Sequence, residues 1–199
     1  MASTRIGVDH LVYAPLTKDD GTTAPTYGAP VPLPGVMKLN INPNPSSDTI
    51  FADDGPMESA STLGKIEVEI DKAYLTMAEK TALLGHGADS NGVVVYGSAD
   101  TAPDVAIGFR TLRADGTYRY VWMLKGKFSE PEDNNETKGD SVKFQNDTIK
   151  GEFVKVNKEY TVNGKTVKPW KMEVDADVTG ATDTIASWFT APYLPSTGA

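Results

Sequence analysis

Apolar and polar residues alternate with a period of two over much of this chain, the mark of strands with one buried face. The cleanest case is residues 65–71, where Ile66, Val68 and Ile70 oppose Lys65, Glu67, Glu69 and Asp71. Residues 36–42 repeat the pattern, setting Met37, Leu39 and Ile41 against Lys38, Asn40 and Asn42. Residues 6–13 place Ile6, Val8, His10 and Val12 on one face, and residues 93–96 read as a short buried strand. Two further strands, 104–112 and 117–128, are joined through Ala114-Asp115-Gly116, a strong hairpin signal. Tyr118, Tyr120, Trp122 and Leu124 share one face of the second arm. Residues 142–156 form one strand or two broken near Gly151. Residues 159–179 form a hairpin turned at Asn163-Gly164, whose return arm sorts Trp170, Met172, Val174, Ala176 and Val178 against Lys171, Glu173, Asp175 and Asp177. Helical spacing occurs at 72–84, where Tyr74, Leu75, Ala78, Ala82 and Leu83 make an apolar stripe, Asp71 offers an N-cap and Gly85 a stop. The pattern predicts a mostly β sandwich or barrel-like domain with one flanking α-helix.

Composition narrows the chemistry. The chain has 199 residues, enough for one domain with arms or decorations. It carries 27 acids against 19 bases, a net charge of −8, which argues against a sequence-reading nucleic-acid binder. No cysteine is present, which removes disulfides, thiolate metal sites and thiol nucleophiles. With His10 and His86 as the two histidines, a multi-histidine metal site or a histidine-based triad is not expected. Asp19-Asp20-Gly21, Asp53-Asp54-Gly55 and Asp89-Ser90-Asn91-Gly92 read as turns, and no nucleophile elbow or phosphate loop occurs. His10 reads as a structural residue in its strand, and His86 sits just past the helix stop. No enzyme, metal or cofactor is expected. No apolar run follows Met1-Ala2-Ser3-Thr4-Arg5, and no stretch approaches a membrane span, so neither export nor membrane insertion is expected.

What remains informative concerns assembly. Glu67, Glu69 and Asp71 crowd one strand face, and Glu173, Asp175 and Asp177 crowd another. Burying such a row unpaired is costly, so these faces must meet water or cations. An ordinary solvated sheet face is the alternative reading. An all-β domain also has edge strands that need a partner or protection. Finally, the polar excursion at 43–62 joins two alternating strands, which makes it the extended tip of a hairpin able to reach a neighbouring subunit, or else a surface loop.

The order of segments resembles the major tail tube proteins of long-tailed, non-contractile bacteriophages. The resemblance covers about residues 6–156. It rests on Tyr27-Gly28-Ala29-Pro30-Val31-Pro32-Leu33-Pro34-Gly35, on Phe51-Ala52-Asp53-Asp54-Gly55, and on Gly64-Lys65-Ile66-Glu67-Val68-Glu69-Ile70. Ala106-Ile107-Gly108-Phe109-Arg110 and the run 141–153 fit as well. The resemblance implies a β-sandwich subunit of hexameric rings that stack into a tube, through which DNA passes without sequence-specific binding. It implies further tape-measure, tail-terminator and distal tail partners, and a place in the virion tail after assembly in the host cytoplasm. On this reading residues 1–5 are an N-terminal arm and 6–157 the tail-tube domain, with a long inter-ring loop at 42–63. Residues 158–199 form a C-terminal hairpin and aromatic tail. Glu67, Glu69 and Asp71 line the lumen with Lys38 and Asn40 beside them. Asp48, Ile50, Phe51, Asp53, Asp54 and Met57 belong to the loop that meets the next ring, while Glu173, Asp175 and Asp177 face solvent outside. The alternative is a monomeric immunoglobulin-like or carbohydrate-binding β-sandwich, motivated by Tyr118, Tyr120, Trp122 and Trp188.

Overall fold

A computed structural model describes residues 3–52, 55–133, 135, 137 and 145–196, with the side chains of 46–61 outside that description. In chain order the elements are β1 (Arg5–Lys18), β2 (Thr26–Tyr27), β3 (Val31–Pro32), β4 (Val36–Ala52), β5 (Gly55–Lys72), α1 (Met77–Leu84), β6 (Gly87–Ala88) and β7 (Val94–Val95). They continue with β8 (Val105–Arg113), β9 (Tyr118–Phe128), β10 (Asp147–Phe153), β11 (Tyr160–Val162), β12 (Lys165–Val167), β13 (Lys171–Asp175) and α2 (Thr182–Ala186). The fold is mostly β, as the alternation implies.

Nine strands make one antiparallel sheet in the order β2-β1-β8-β9-β10-β5-β4, with β3 on β1 and β13 on β9. The sheet forks at β9. Arg119–Met123 pairs with β13, while Gly126–Phe128 pairs with β10. β1 and β4, far apart in the strand order, nevertheless approach each other, so the sheet curls over its own apolar face. That face holds the larger core: Ile66, Val68 and Ile70 of β5 meet Val105, Ile107 and Phe109 of β8, with Leu83 and Leu84 of α1 packed on them. A second core lies on the opposite face, where Trp122 and Leu124 of β9 meet Val12, Val156, Tyr160 and Trp188. Trp122 Nε1 donates to the Trp188 carbonyl at 2.8 Å, and the Trp188 ring stacks on Tyr193 at 5.2 Å. The C-terminal segment therefore closes a core, a stronger role than an added tail.

Close approach explains Gly126, which pairs directly with Phe153 across the β9–β10 ladder. A Cβ at this position would lie 2.4 Å from the Phe153 ring. The missing side chain lets the ring lie across β9 and bury fully.

Several expectations are corrected. Asp71 does not cap the helix: β5 stays paired with β10 through Lys72↔Asp147, and Asp71 lies within that ladder. α1 starts after Thr76, whose hydroxyl accepts from Glu79 N while the Glu79 carboxylate accepts from Thr76 N at 2.8 Å. Glu79 also accepts from Lys72 Nζ at 2.6 Å, a buried pair that ties the helix to the end of β5. The return arm of the 159–179 hairpin ends at Val167, because β13 leaves β12 and pairs with β9. Among the described residues Val94–Val95 pairs only with Gly87–Ala88, in a small ribbon whose Val93, Val95 and Tyr96 are exposed. In β1 the register shifts between Asp9 and Val12, with His10 at φ 51, so the expected single face is split: Ile6 is exposed and Val12 buried. Residues 3–5 are attached rather than free, since Arg5 pairs with Arg113, Ala114 N donates to Thr4 O, and Asp115 N donates to Ser3 Oγ.

Candidate functional site

Register places the proposed polar face on three neighbouring strands. Lys38 of β4, Asp71 of β5 and Thr148 of β10 form one row. Asn40, Glu69 and Lys150 form the next, and Asn42, Glu67 and Glu152 a third. Side chains alternate across a strand, so these rows stand opposite Ile66, Val68 and Ile70, which are at most 1% exposed. All five residues singled out from the pattern, Glu67, Glu69, Asp71, Lys38 and Asn40, thus meet on one surface.

The surface is not a bare acidic row. Thr148 Oγ1 donates to Asp71 Oδ1 at 2.6 Å, and Lys38 Nζ stands 3.9 Å from Asp71 Oδ2. Lys65 pairs with Glu152, whose carboxylate holds the ammonium charged above the ordinary lysine range. No described cation pairs with Glu67 or Glu69. Beside them runs an open groove of about 1020 Å³. Glu67, Glu69 and Glu152 line it from the sheet, Glu130, Glu132 and Asp133 from the segment after β9, and Asp147 from the start of β10. Lys150 is the only cation among its described lining residues, so the groove is strongly anionic.

The other acidic row behaves differently. Arg119 grips Asp175 with two hydrogen bonds of 2.6 and 2.8 Å, and Arg113 reaches Asp177 at 3.1 Å and Asp175 at 3.5 Å. Arg119 holds the Asp175 carboxyl below its usual range. Glu173 pairs with Lys171 at 2.6 Å. Glu173 and Asp177 are exposed, in keeping with a solvated face, but the row is not a bare one: its ion pairs make a seam between β13 and the β8–β9 hairpin. The alternation of β13 could not reveal it, because the arginines lie more than 50 residues earlier in the chain.

The stretch read as an inter-ring loop is strand-paired almost throughout. Beyond a register shift at Pro43/Pro45, β4 and β5 continue as a two-stranded ribbon from Pro45↔Leu63 to Ala52↔Gly55. Asp48 faces Ala60, Ile50 faces Glu58 and Phe51 faces Pro56, and Met57 lies in β5. Asp53 and Asp54 lie outside the described residues. Ser and Thr pairs such as Ser46↔Thr62, Ser47↔Ser61 and Thr49↔Ser59 recur along the ribbon. Such pairs fit a strand ladder, and in the sequence they erase the hydrophobic alternation by which strands are recognised. Among the described residues β5 has no neighbour but β4 in this stretch, since β10 pairs with β5 over Ile66–Lys72. Among the described residues β4 pairs with β5 alone, which leaves its other edge open.

Among the described residues no group of three or more His, Asp or Glu side chains is placed to hold a metal, and no helix is long and apolar enough to cross a membrane. No protein-family model and no curated protein matches the chain.

Proposed function

We propose that this chain is a structural, non-catalytic subunit of a phage tail tube, forming hexameric rings that stack into a conduit for DNA. The observation that carries the reading is the β4–β5 ribbon: a two-stranded arm roughly 25 Å long over Pro45–Ala52, at about 3.4 Å per residue, with no third strand beside it among the described residues. An isolated two-stranded hairpin is marginal in water, so such an arm gains most from docking on another molecule. At its base, the open edge of β4 offers backbone donors and acceptors to a neighbouring copy. A ring of head-to-tail contacts would satisfy that edge and remain free to polymerise by stacking.

The charge distribution supports the same reading. A strand added to β4 would extend the surface that carries Lys38, Asn40, Glu67 and Glu69, so ring closure would multiply these groups around a bore. Duplex DNA carries one charge per about 1.7 Å of axis, and a cationic wall would hold it. An anionic wall repels it and lets it slide. Tape-measure, tail-terminator and distal tail proteins would then be the partners at the lumen and tube ends, in the virion tail. The carbohydrate-binding alternative relies on an aromatic platform, yet Trp122 and Trp188 are buried in the second core.

Electron microscopy of concentrated protein, with light scattering across concentration, tests the proposal. Stacked rings or tubes are expected. A persistent monomer that is retained on a polysaccharide column would replace this reading with the binding module.

A further inference from the structure

His86 is buried, 8% exposed, with a carboxylate on each ring nitrogen. Asp100 Oδ2 stands 2.7 Å from Nδ1 and Glu130 Oε2 stands 3.0 Å from Nε2. A neutral imidazole has one N–H and can serve only one of them, leaving a ring lone pair against the other carboxylate. Only the imidazolium donates to both. The Tyr96 ring covers the imidazole at 4.3 Å. Asp100, Glu130 and the Tyr96 phenol are the titratable groups that the described contacts place against it.

The two carboxylates are held unequally. Asp100 Oδ2 also accepts from Gly97 N at 2.8 Å, and the chain on the His86 side is fixed by Gly85. Gly85 caps α1 in the left-handed region at φ 80, and a Cβ there would lie 2.3 Å from the Thr101 carbonyl oxygen. These contacts keep His86 and Asp100 together. The Glu130 side chain is 55% exposed and opens the segment that walls the acidic groove. It is the partner free to leave.

We propose that His86 is a proton-operated clamp: protonated, it pins the start of segment 130–133 to the end of α1, and on losing its proton it releases Glu130 and with it one wall of the acidic groove. The Asp100 hydrogen bond, with Glu130 adding to it against the opposing effect of burial, moves the imidazole in the direction this clamp requires, above its ordinary 6.5. A group whose folded value is raised contributes fully below its unfolded value and loses that contribution as pH rises through the folded one. The clamp is therefore closed in mild acid and opens toward alkaline pH. It stands apart from the assembly reading, because it needs only the single chain.

The test uses the full chain and its two histidines. Imidazole resonances are followed by NMR against pH, with His10→Asn assigning the His86 signal. Backbone ¹⁵N order parameters are read at residues 130, 132 and 133 over the same range. The expected result is a His86 midpoint above 6.5, with those order parameters falling through the same midpoint from about 0.85 to under about 0.6. Glu130→Gln should lower the midpoint and leave the segment mobile throughout; His86→Gln, which has no imidazole to titrate at this position, should likewise leave the segment mobile at every pH. Should His86→Gln fail to fold, Glu130→Gln carries the test alone, since it leaves the imidazole and Asp100 in place. A midpoint at or below 6.5, or a segment whose order is unchanged across the titration, overturns the proposal.

Discussion

Replacing residues 48–60 with Asn-Gly would remove most of the projecting ribbon while keeping its base. Ser47 and Ser61 are directly paired, so a two-residue turn closes the ladder at that rung without changing register. The β5–β10 pairing from Ile66 to Lys72 is untouched. Ordering a residue's backbone costs about 1–2 kcal/mol, and in an isolated two-stranded ribbon this nearly cancels what the ladder returns. The monomer should thus change in stability by no more than about 1 kcal/mol. For a domain of this size that is a shift of about 2–4 °C in Tm. Urea and thermal unfolding measure the first quantity, and electron microscopy of the same sample measures assembly. The expected pair of results is a native-like monomer and no tubes. Tubes of normal length would remove the ribbon from any inter-ring role. A loss above about 3 kcal/mol would show that the ribbon folds back on the body, refuting the argument from its isolation.

Three other variants probe the body and the polar face. Gly126→Ala forces a methyl group into the space of the Phe153 ring and should cost about 1–3 kcal/mol in urea unfolding, with partial rescue by Phe153→Leu. Asp175→Asn removes charge-assisted bonds to Arg119 and should cost about 1.5–3 kcal/mol at neutral pH. Because the folded carboxyl lies below its unfolded 3.8, its contribution is present above that value and lost as pH falls through the folded one. The gap between variant and parent should therefore close in acid, and a pH-independent gap would mean the loss is one of packing. Glu67→Lys with Glu69→Lys should leave the fold intact and make assembled tubes retain DNA at low salt and release it as salt rises. Passage unaffected by the change would place these side chains away from the bore.

Strand faces were readable from alternation wherever one side is dry. Ile66, Val68 and Ile70 went inward as their spacing requires, and Trp122 and Leu124 share a buried face as expected. Residues 114–116 turn where Asp115 and Gly116 suggest, with Asp115 accepting from Thr117 N. Alternation reports which side of a strand is apolar and is silent on which strand lies beside it. That is why β13 was read as a hairpin arm although its partner is β9. The ribbon escaped as a ladder because its Ser- and Thr-rich sequence has no regular alternation of apolar and polar residues. Residues 93–96 misled in the opposite sense: their apolar run belongs to a two-pair hairpin too short to bury it. The Thr76-x-x-Glu79 capping box was present in the sequence and outweighed Asp71, which the ladder had already claimed. The His86 arrangement was out of reach, since its carboxylates lie 14 and 44 residues away and meet only once β9 is placed.

The antiparallel grip between β5 and β10 also has a mechanical consequence. A pull on the ribbon acts along the strand axis of β5, so the ladder between Ile66–Lys72 and Asp147–Phe153 is loaded in shear, its rungs sharing the force instead of unzipping one by one. The ribbon is thereby anchored at its strongest angle, and tension applied along it passes through β10 into β9, the strand that both cores enclose.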